Sequence, residues 1–411
     1  MANIDVVVIG AGQAGLSSAY FLSRSGLDFV VLDRSPRPGG AWQFRWPSLT
    51  LGATHRVHDL PGLPLGVADT TRPSSEVVSE YFAAYERAFD LPVRRPVGVR
   101  SVREGQDGRL LVETSAGDWS ARALINATGT WDRPFWPRYP GQESFRGRQL
   151  HTADYTTREE FAGKHVVVVG AGASGIQLLM EIAEITTTTW VTRRPPVFKE
   201  GVFNEEAGRE TVARVDARVR AGLPPGSIIG ASTGYPVNPA VKAAMAAGIL
   251  DRLPMFDRIV PEGVAWDDGR LIEADVILWA TGFRPVINHL APLHLREPGG
   301  GIRVEDTRAV LDPRVHLVGY GPSASTIGAN RAGRTAVQHI RRLLAAPEAG
   351  VSRDVVSGGS GAFSASTASD TSRDVILSVS DAFPGSVASG VSSAVAPDIS
   401  LVPVDSAASA A

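Results

Sequence analysis

The chain has 411 residues, a formal net charge of -2, 43% apolar and 20% charged residues, and no cysteine. At roughly 150 residues per domain, that length holds two or three domains. The near-neutral balance argues against nucleic acid as a partner, and the missing thiols exclude disulfides, thiolate metal sites and cysteine redox relays. No apolar run approaches the ~20 residues of a membrane span. Asn3-Ile4-Asp5 leads directly into Val6-Val7-Val8-Ile9 with no basic leader, so a cytoplasmic protein away from membranes is expected.

In chain order, Ile4–Gly10 is predicted as a buried strand, Gln13–Ser25 as a helix ended by Gly26, and Leu27–Asp33 as a second strand. The turn between the first two reads Gly10-Ala11-Gly12-Gln13-Ala14-Gly15. Glycines at this spacing make a tight turn, let backbone approach a pyrophosphate, and let a helix pack closely on a sheet. The helix start adds free N–H groups and the positive end of a dipole. Asp33 ends the next strand where an acidic group bonds ribose hydroxyls, and Arg34 follows it. Further on, Arg37-Pro38-Gly39-Gly40-Ala41-Trp42 sets paired glycines beside an indole. These features are read as an FAD site formed by Gly10, Gly12, Gln13, Ala14, Gly15, Asp33, Arg34, Gly40 and Trp42.

Ser74–Phe89 shows helical apolar spacing through Val77, Val78, Tyr81, Phe82, Tyr85 and Phe89. Pro92–Val102, with Val99 as a further FAD candidate, Arg109–Thr114 and Ala123–Ala127 read as strands, and Pro134–Pro140 as a connector. The opening pattern then recurs as a strand at His165–Gly170, a helix at Ala173–Ile185 and a strand at Thr187–Arg193. Its turn reads Gly170-Ala171-Gly172-Ala173-Ser174-Gly175, and Arg193-Arg194 stands in the register of Asp33. A carboxylate there would repel a 2′-phosphate, whereas guanidinium groups bind it. The second site is therefore read as that of NADPH, formed by Gly170, Gly172, Ala173, Ser174, Gly175, Arg193 and Arg194. Val276–Ala280 and Val315–Gly319 read as apolar strands. Thr326–Leu344 reads as an amphipathic helix whose positive end, at Thr326, would face the flavin. The tail from about Ala345 is rich in Ser, Ala and Gly, lacks periodicity, and is expected to be disordered.

Two strand-helix-strand units predict an α/β protein with two Rossmann-like, doubly wound dinucleotide-binding domains, the second inserted in the first. The expected division is 1–160 and 276–345 for FAD, 161–275 for NADP(H), and 346–411 as the tail.

Phe145-Arg146-Gly147-Arg148-Gln149-Leu150-His151-Thr152-Ala153-Asp154-Tyr155 fits the pattern F-x-G-x-x-x-H-x-x-x-Y and lies between the two glycine motifs. With it, the sequence resembles the class B flavin-dependent monooxygenases, the group of the flavin-containing monooxygenases and the plant YUCCA enzymes. Asn126-Ala127-Thr128-Gly129 and Leu278-Trp279-Ala280-Thr281-Gly282-Phe283-Arg284-Pro285 are similar to that family's two A-T-G strand ends. The resemblance covers roughly residues 4 to 344. It implies Ala127, Thr128, Gly129 and Gly319 at FAD. It places His151, Ala280, Thr281 and Gly282 at NADPH, with His151 organising the nucleotide rather than attacking substrate.

The implied chemistry is NADPH-dependent formation of a flavin C4a-hydroperoxide from O2, which oxygenates a small nucleophilic substrate without a metal. Tyr155 stands where Baeyer–Villiger relatives carry Trp, which ranks that chemistry second. An Asn that many members place near the flavin edge is absent from Leu51-Gly52-Ala53-Thr54-His55-Arg56-Val57-His58. Thr54 and His55 are the candidates for its hydrogen bond, with ordinary loop residues as the equal alternative. A disulfide reductase built from the same domains lacks its Cys pair here. A flavin-bound regulatory protein is the non-catalytic alternative, and a homodimer is left open.

Overall fold

The computed structural model describes residues 2–54, 57–200, 205–226 and 234–345, with the side chains of 205–209 excepted. His55 and the tail from 346 lie outside the described residues.

The chain opens with β1 (Ala2–Ile9), α1 (Gln13–Leu22) and β2 (Phe29–Leu32), followed by α2 (Ser74–Ala88), β3 (Val93–Arg94), β4 (Val99–Glu104), β5 (Leu110–Thr114) and β6 (Trp119–Asn126). Val6, Val7 and Val8 are all fully buried. A strand apolar on both faces belongs in a parallel sheet covered on both sides, and β1 lies parallel between β2 and β6. The predicted strand over Pro92–Val102 is two short strands, because Pro96 between them has no N–H to give a ladder.

β7 (Arg148–His151), β8 (His165–Val169), α3 (Ala173–Ala183) and β9 (Thr187–Thr192) begin a second layer. β10 (Phe198–Lys199) pairs with β11 (Tyr235–Pro236), and α4 (Glu205–Arg220) falls between them in sequence. Then come α5 (Pro239–Ala246), β12 (Arg252–Pro254), an antiparallel trio β13 (Arg258–Val260), β14 (Gly263–Ala265) and β15 (Leu271–Glu273), and β16 (Val276–Trp279). The second main sheet runs β12-β9-β8-β16-β7, parallel throughout. Judged by sheet membership, it takes in β7 and β16, strands on both sides of the 161–275 span.

The chain then returns to the first sheet through β17 (Val304–Glu305), β18 (Arg308–Ala309) and β19 (Val315–Leu317), and ends its described part in α6 (Thr326–Ala345). That sheet runs β17-β18-β19-β6-β1-β2-β3, with β5 also paired to β6 and β4 to β5. α6 lies directly on α1: a Cβ at Gly333 would come 3.0 Å from both Ser17 Oγ and the Ser18 nitrogen.

Three buried imidazoles (His151, His289 and His316) and the half-buried His165 bond to neighbouring elements. His289 bonds Asn126 Oδ1 at 2.7 Å, His316 bonds Thr307 Oγ1 at 2.9 Å, and His165 bonds Thr187 and Thr189. Burial pushes His289 down to about 4 and His316 to about 3, and lowers His151 and His165 below the ordinary 6.5. A depressed histidine is neutral in the fold and protonates more readily in the unfolded chain. The stabilisation is therefore complete above pH 6.5 and drains away as pH falls through that value toward 4. His289 and His316 each contribute a slope of about 1.4 kcal/mol per pH unit there. The denaturation midpoint should fall steadily across this window, and His289→Gln should flatten the fall. A midpoint independent of pH would contradict the assignment.

Candidate functional site

The two glycine motifs are built alike. Gly10 has φ +98°, and a Cβ there would lie 2.7 Å from the Ala127 carbonyl oxygen. Gly170 has φ +130°, and its Cβ would lie 2.4 Å from the Ala280 oxygen. A Cβ at Gly15 would sit 1.8 Å from the Gly10 oxygen, and one at Gly175 would sit 2.9 Å from Ala280 Cβ. These outer glycines serve the protein's own packing, seating each helix on its strand. The middle ones differ. Gly12 (φ -85°, ψ -167°) and Gly172 (φ -78°, ψ 165°) hold angles open to any residue. A Cβ at Gly172 meets nothing within 4 Å, and one at Gly12 meets only Gly40 Cα at an ordinary 3.7 Å. The fold gives no reason for glycine at either place, but a pyrophosphate lying against the backbone does.

The helix starts agree. Neither α1 nor α3 has a side-chain cap, whereas Asn238 caps α5 through a 2.9 Å bond from the Val241 nitrogen. The first N–H groups of α1 and α3, at Gln13-Ala14 and Ala173-Ser174, are left for a ligand. At the first motif, Gln13 Nε2 donates to the His58 oxygen (3.2 Å) and Asn330 Oδ1 (3.0 Å), while its buried Oε1 has no partner. That orphaned acceptor also fits a bound cofactor.

Other candidates gather around this motif. Asp33 is buried at the end of β2, with Oδ2 accepting from the Ala11 nitrogen and Oδ1 from the Ser35 nitrogen, both at 2.7 Å. A Cβ at Gly40 (φ +53°) would lie 2.8 Å from Gly12 Cα, so the turn bearing Trp42 touches the motif backbone. A Cβ at Gly319 (φ +77°) would lie 3.3 Å from Ala14 Cβ, and Thr326 Oγ1 accepts from the His58 nitrogen at 3.3 Å. Arg34 pairs with Asp132 and packs on Gly98, next to the half-buried Val99. Arg193 and Arg194 emerge exposed from the end of β9.

The two A-T-G turns are joined to each other. The Val286 nitrogen donates to the Gly129 oxygen (3.0 Å), the Phe135 nitrogen to the Gly282 oxygen (2.9 Å), and the Arg284 nitrogen to the Arg133 oxygen (2.8 Å). Thr128 and Thr281 each donate a hydroxyl across the junction, to Val286 and Phe135. Trp131 and Phe283, the aromatics that follow the turns, stack at 5.0 Å, and Phe44 stacks on Trp131 at 6.0 Å. Sequence reasoning passed over this stack, although an aromatic within two residues of each A-T-G was its signal. It also passed over Arg284, which lies over Phe135 at 3.9 Å. Burial, then the charges of Arg133 and Arg193, disfavour the protonated form of Arg284. Among the described residues no carboxylate pairs with any of these three arginines.

His151 is fully buried. Its Nδ1 accepts from the Ala153 nitrogen (3.1 Å), and its Nε2 donates to the Gly282 oxygen (3.0 Å). Both ring nitrogens are spent on backbone, which fixes one neutral tautomer. His151 therefore holds the second A-T-G turn against β7. Tyr155 donates to Glu181 Oε1 at 2.8 Å, as Ser48 does at 2.6 Å, fastening the segment after β7 to α3. Thr54 donates its hydroxyl to the Leu51 oxygen at 2.7 Å. It lines a cleft of about 830 Å³ with Ala53, Gln177 and Glu181.

Gly15→Ala should destabilise the fold by about 3 kcal/mol or more, because backbone would have to move. Gly172→Ala should keep the wild-type denaturation midpoint and weaken nicotinamide nucleotide binding by roughly tenfold or more. Titration of both variants with NADPH checks this, and unchanged affinity in Gly172→Ala would contradict the pyrophosphate placement.

Residues 7–207 match the family described as pyridine nucleotide-disulphide oxidoreductase. A flavin-containing monooxygenase from Stenotrophomonas maltophilia is 39% identical, with a TM-score of 0.72 over 84% of this chain and 100% of that one. The oxidoreductase CzcO of Bacillus subtilis, whose name marks it as uncharacterized, is 28% identical over 68% of this chain and 81% of its own. Indole-3-pyruvate monooxygenase YUCCA1 of Oryza sativa is 34% identical over 43% of this chain and 44% of its own. Among the described residues no helix is long and apolar enough to cross a membrane. The chain belongs to the class B flavin-dependent monooxygenases, a family of flavoprotein oxidoreductases.

Proposed function

We propose that this enzyme oxidises NADPH, activates O2 on FAD as the C4a-hydroperoxide, and oxygenates a small nucleophilic substrate. One oxygen atom goes to the substrate, and the other leaves as water with the two electrons of NADPH. The observation that carries the reading is the charge difference between two otherwise matched motifs. Asp33, buried on the Ala11 nitrogen, suits free ribose hydroxyls. Arg193 and Arg194, exposed at the equivalent strand end, suit a ribose phosphate.

The site residues take the following roles in this reading. The α1 start receives the FAD pyrophosphate and the α3 start that of NADPH. Gly40, Trp42, Ala127, Thr128, Gly129 and Gly319 border FAD, with Arg34 and Val99 at its ribose end. The α6 start at Thr326 stabilises negative charge on the reduced ring. Ala280, Thr281 and Gly282 border the nicotinamide nucleotide, held in place by His151. Thr54, whose proton is committed to Leu51, offers only an acceptor toward the reacting oxygen. The FAD domain comprises 1–160 and 276–345, and the NADP(H) domain 161–275. O2 and a small molecule are its partners, in the cytoplasm.

Stopped-flow mixing of reduced, NADP⁺-bound enzyme with O2 should show a C4a-adduct spectrum before reoxidation, whereas direct reoxidation would overturn the oxygenase reading. Nucleotide choice is a separate test. A charge-assisted hydrogen bond contributes about 1.5–3 kcal/mol, or roughly ten- to a hundredfold in affinity. Arg193→Ala should weaken NADPH by about that much and leave NADH nearly unaffected, with a larger effect when Arg194 is also replaced. Flavin reduction rate against nucleotide concentration measures this. A double variant that keeps an NADPH preference would remove the arginines from the phosphate site.

A further inference from the structure

The turn between β3 and β4 is stitched to the end of β2 on both sides of one arginine. The Asp33 nitrogen donates to the Arg94 oxygen at 3.0 Å, and the Val97 nitrogen donates to the Asp33 oxygen at 2.7 Å. Arg95 is thereby held beside Asp33. Its Nη1 and Nη2 each donate to a carboxylate oxygen of Glu86 at 2.7 Å, and Nη2 stops 3.9 Å short of Asp33 Oδ2. The three side chains are nearly closed to water, at 12% exposed for Arg95 and Glu86 and 9% for Asp33. The other cation at this strand end, Arg34, is paired with Asp132.

Stability does not account for this arrangement. A buried ion pair contributes little beyond well-packed apolar side chains of the same volume. Glu86 lies in the last turn of α2, where the helix dipole disfavours a carboxylate. Arg95 Nε is buried without a partner, which is unfavourable as well. One cation therefore faces two buried carboxylates and bonds only one of them. Each oxygen of Asp33 accepts a single backbone N–H, and among the described residues no side chain donates to it. Without Glu86, the guanidinium fork would close on Asp33 and fill the positions that hydroxyl donors need.

We propose that Arg95 is a positioning residue for the adenosine end of FAD. It compensates the charge of Asp33, and Glu86 restrains it from bonding there, so that the Asp33 lone pairs stay open to the ribose hydroxyls. This rests on the placement of FAD at the first glycine motif.

The test is equilibrium exchange of the full-length holoenzyme against an equal mixture of FAD and flavin 2′-deoxyadenine dinucleotide. The bound ratio is read by chromatography of the released flavins, which requires no turnover. Wild type should hold FAD over the analogue by about ten- to a hundredfold, the range of a hydrogen bond to a charged acceptor. Arg95→Met should bring the ratio close to one, and Arg95→Lys should restore part of it. Glu86→Gln should also lower the ratio, because the released fork closes on Asp33. Asp33→Asn is the reference and should lose most of the preference. If it does so while Arg95→Met keeps the wild-type ratio, the positioning role is overturned and the FAD placement stands. A preference that survives in Asp33→Asn, or a wild type without one, overturns both. Should Arg95→Met fail to fold, Glu86→Gln keeps the cation and decides alone: the wild-type ratio in that variant overturns the proposal. Weaker retention of both flavins at an unchanged ratio makes the pair a structural brace and overturns it too.

Discussion

At the first glycine of each motif a carbonyl oxygen leaves room for a hydrogen atom but not for a methyl group. The Ala127 oxygen lies against Gly10, and the Ala280 oxygen lies against Gly170. Each contact joins the strand carrying an A-T-G turn to the strand carrying a glycine motif, within a parallel pair already in register: β1 with β6, and β8 with β16. Once those backbones are that close, each A-T-G turn must leave the sheet beside its nucleotide site. The positive φ angles of Gly129 (+64°) and Gly282 (+77°) then turn the chain back. The hydrogen bonds between the turns follow from this placement, as do the Trp131–Phe283 stack and the position of Arg45 over Trp131. The strand-end contacts therefore fix how each A-T-G turn sits against its glycine motif.

With the geometry of the two motifs so nearly repeated, electrostatics distinguishes them. Asp33 is fixed by two backbone N–H groups and lies 3.9 Å from Arg95, which is itself held at 2.7 Å by Glu86. That rigid, screened carboxylate is suited to accept from hydroxyls and unsuited to a phosphate. At the other strand end the charge is positive and exposed to solvent, and the arginines of the neighbouring turn reinforce it. Burial, then the charges of Arg133 and Arg193, disfavour the protonated form of Arg284, so like charges are crowded there. Such crowding is unfavourable unless an anion spends part of the catalytic cycle there.

The repeated strand-helix-strand units were legible because a fully apolar strand, a glycine turn and a helix of the right length leave few alternatives, and both families of glycine contact confirm the spacing. Sheet membership was not legible. Arg148–His151 is a four-residue edge strand with one apolar side chain at Leu150, and nothing in its sequence names β16 as its neighbour. Val276–Trp279 reads as buried, which it is, but burial alone does not say in which sheet. Arg45 was invisible for a related reason. A lone arginine after a glycine turn reads as a surface residue, and its place over the Trp131 ring depends on the first A-T-G turn. Thr54 was singled out as a donor candidate, and its proton is already given to Leu51. Propensity and spacing report which residues are near in sequence, and the chemistry of this site is set by residues near only in space.

The identifier segment shows how a motif can govern chemistry without touching it. His151 spends one ring nitrogen on Ala153 and the other on Gly282, and Phe283 packs edge-on against the ring at 4.9 Å. Protonation would turn Nδ1 from acceptor to donor and set it against the Ala153 N–H, so burial and geometry both hold the ring neutral. Tyr155, at the far end of the segment, aims Glu181 of α3 with the help of Ser48 from the loop after the FAD turn. One short stretch therefore grips the second A-T-G turn, the helix of the second motif and the loop that leads to Thr54. Displacing any of these would shift the two glycine motifs relative to each other. The spacing of Gly147, His151 and Tyr155 answers to that triple attachment. Gly147 has no room for a side chain against the Asp275 oxygen, 2.3 Å from where its Cβ would be. The segment is best understood as the clamp that joins the second A-T-G turn, α3 and the loop leading to Thr54.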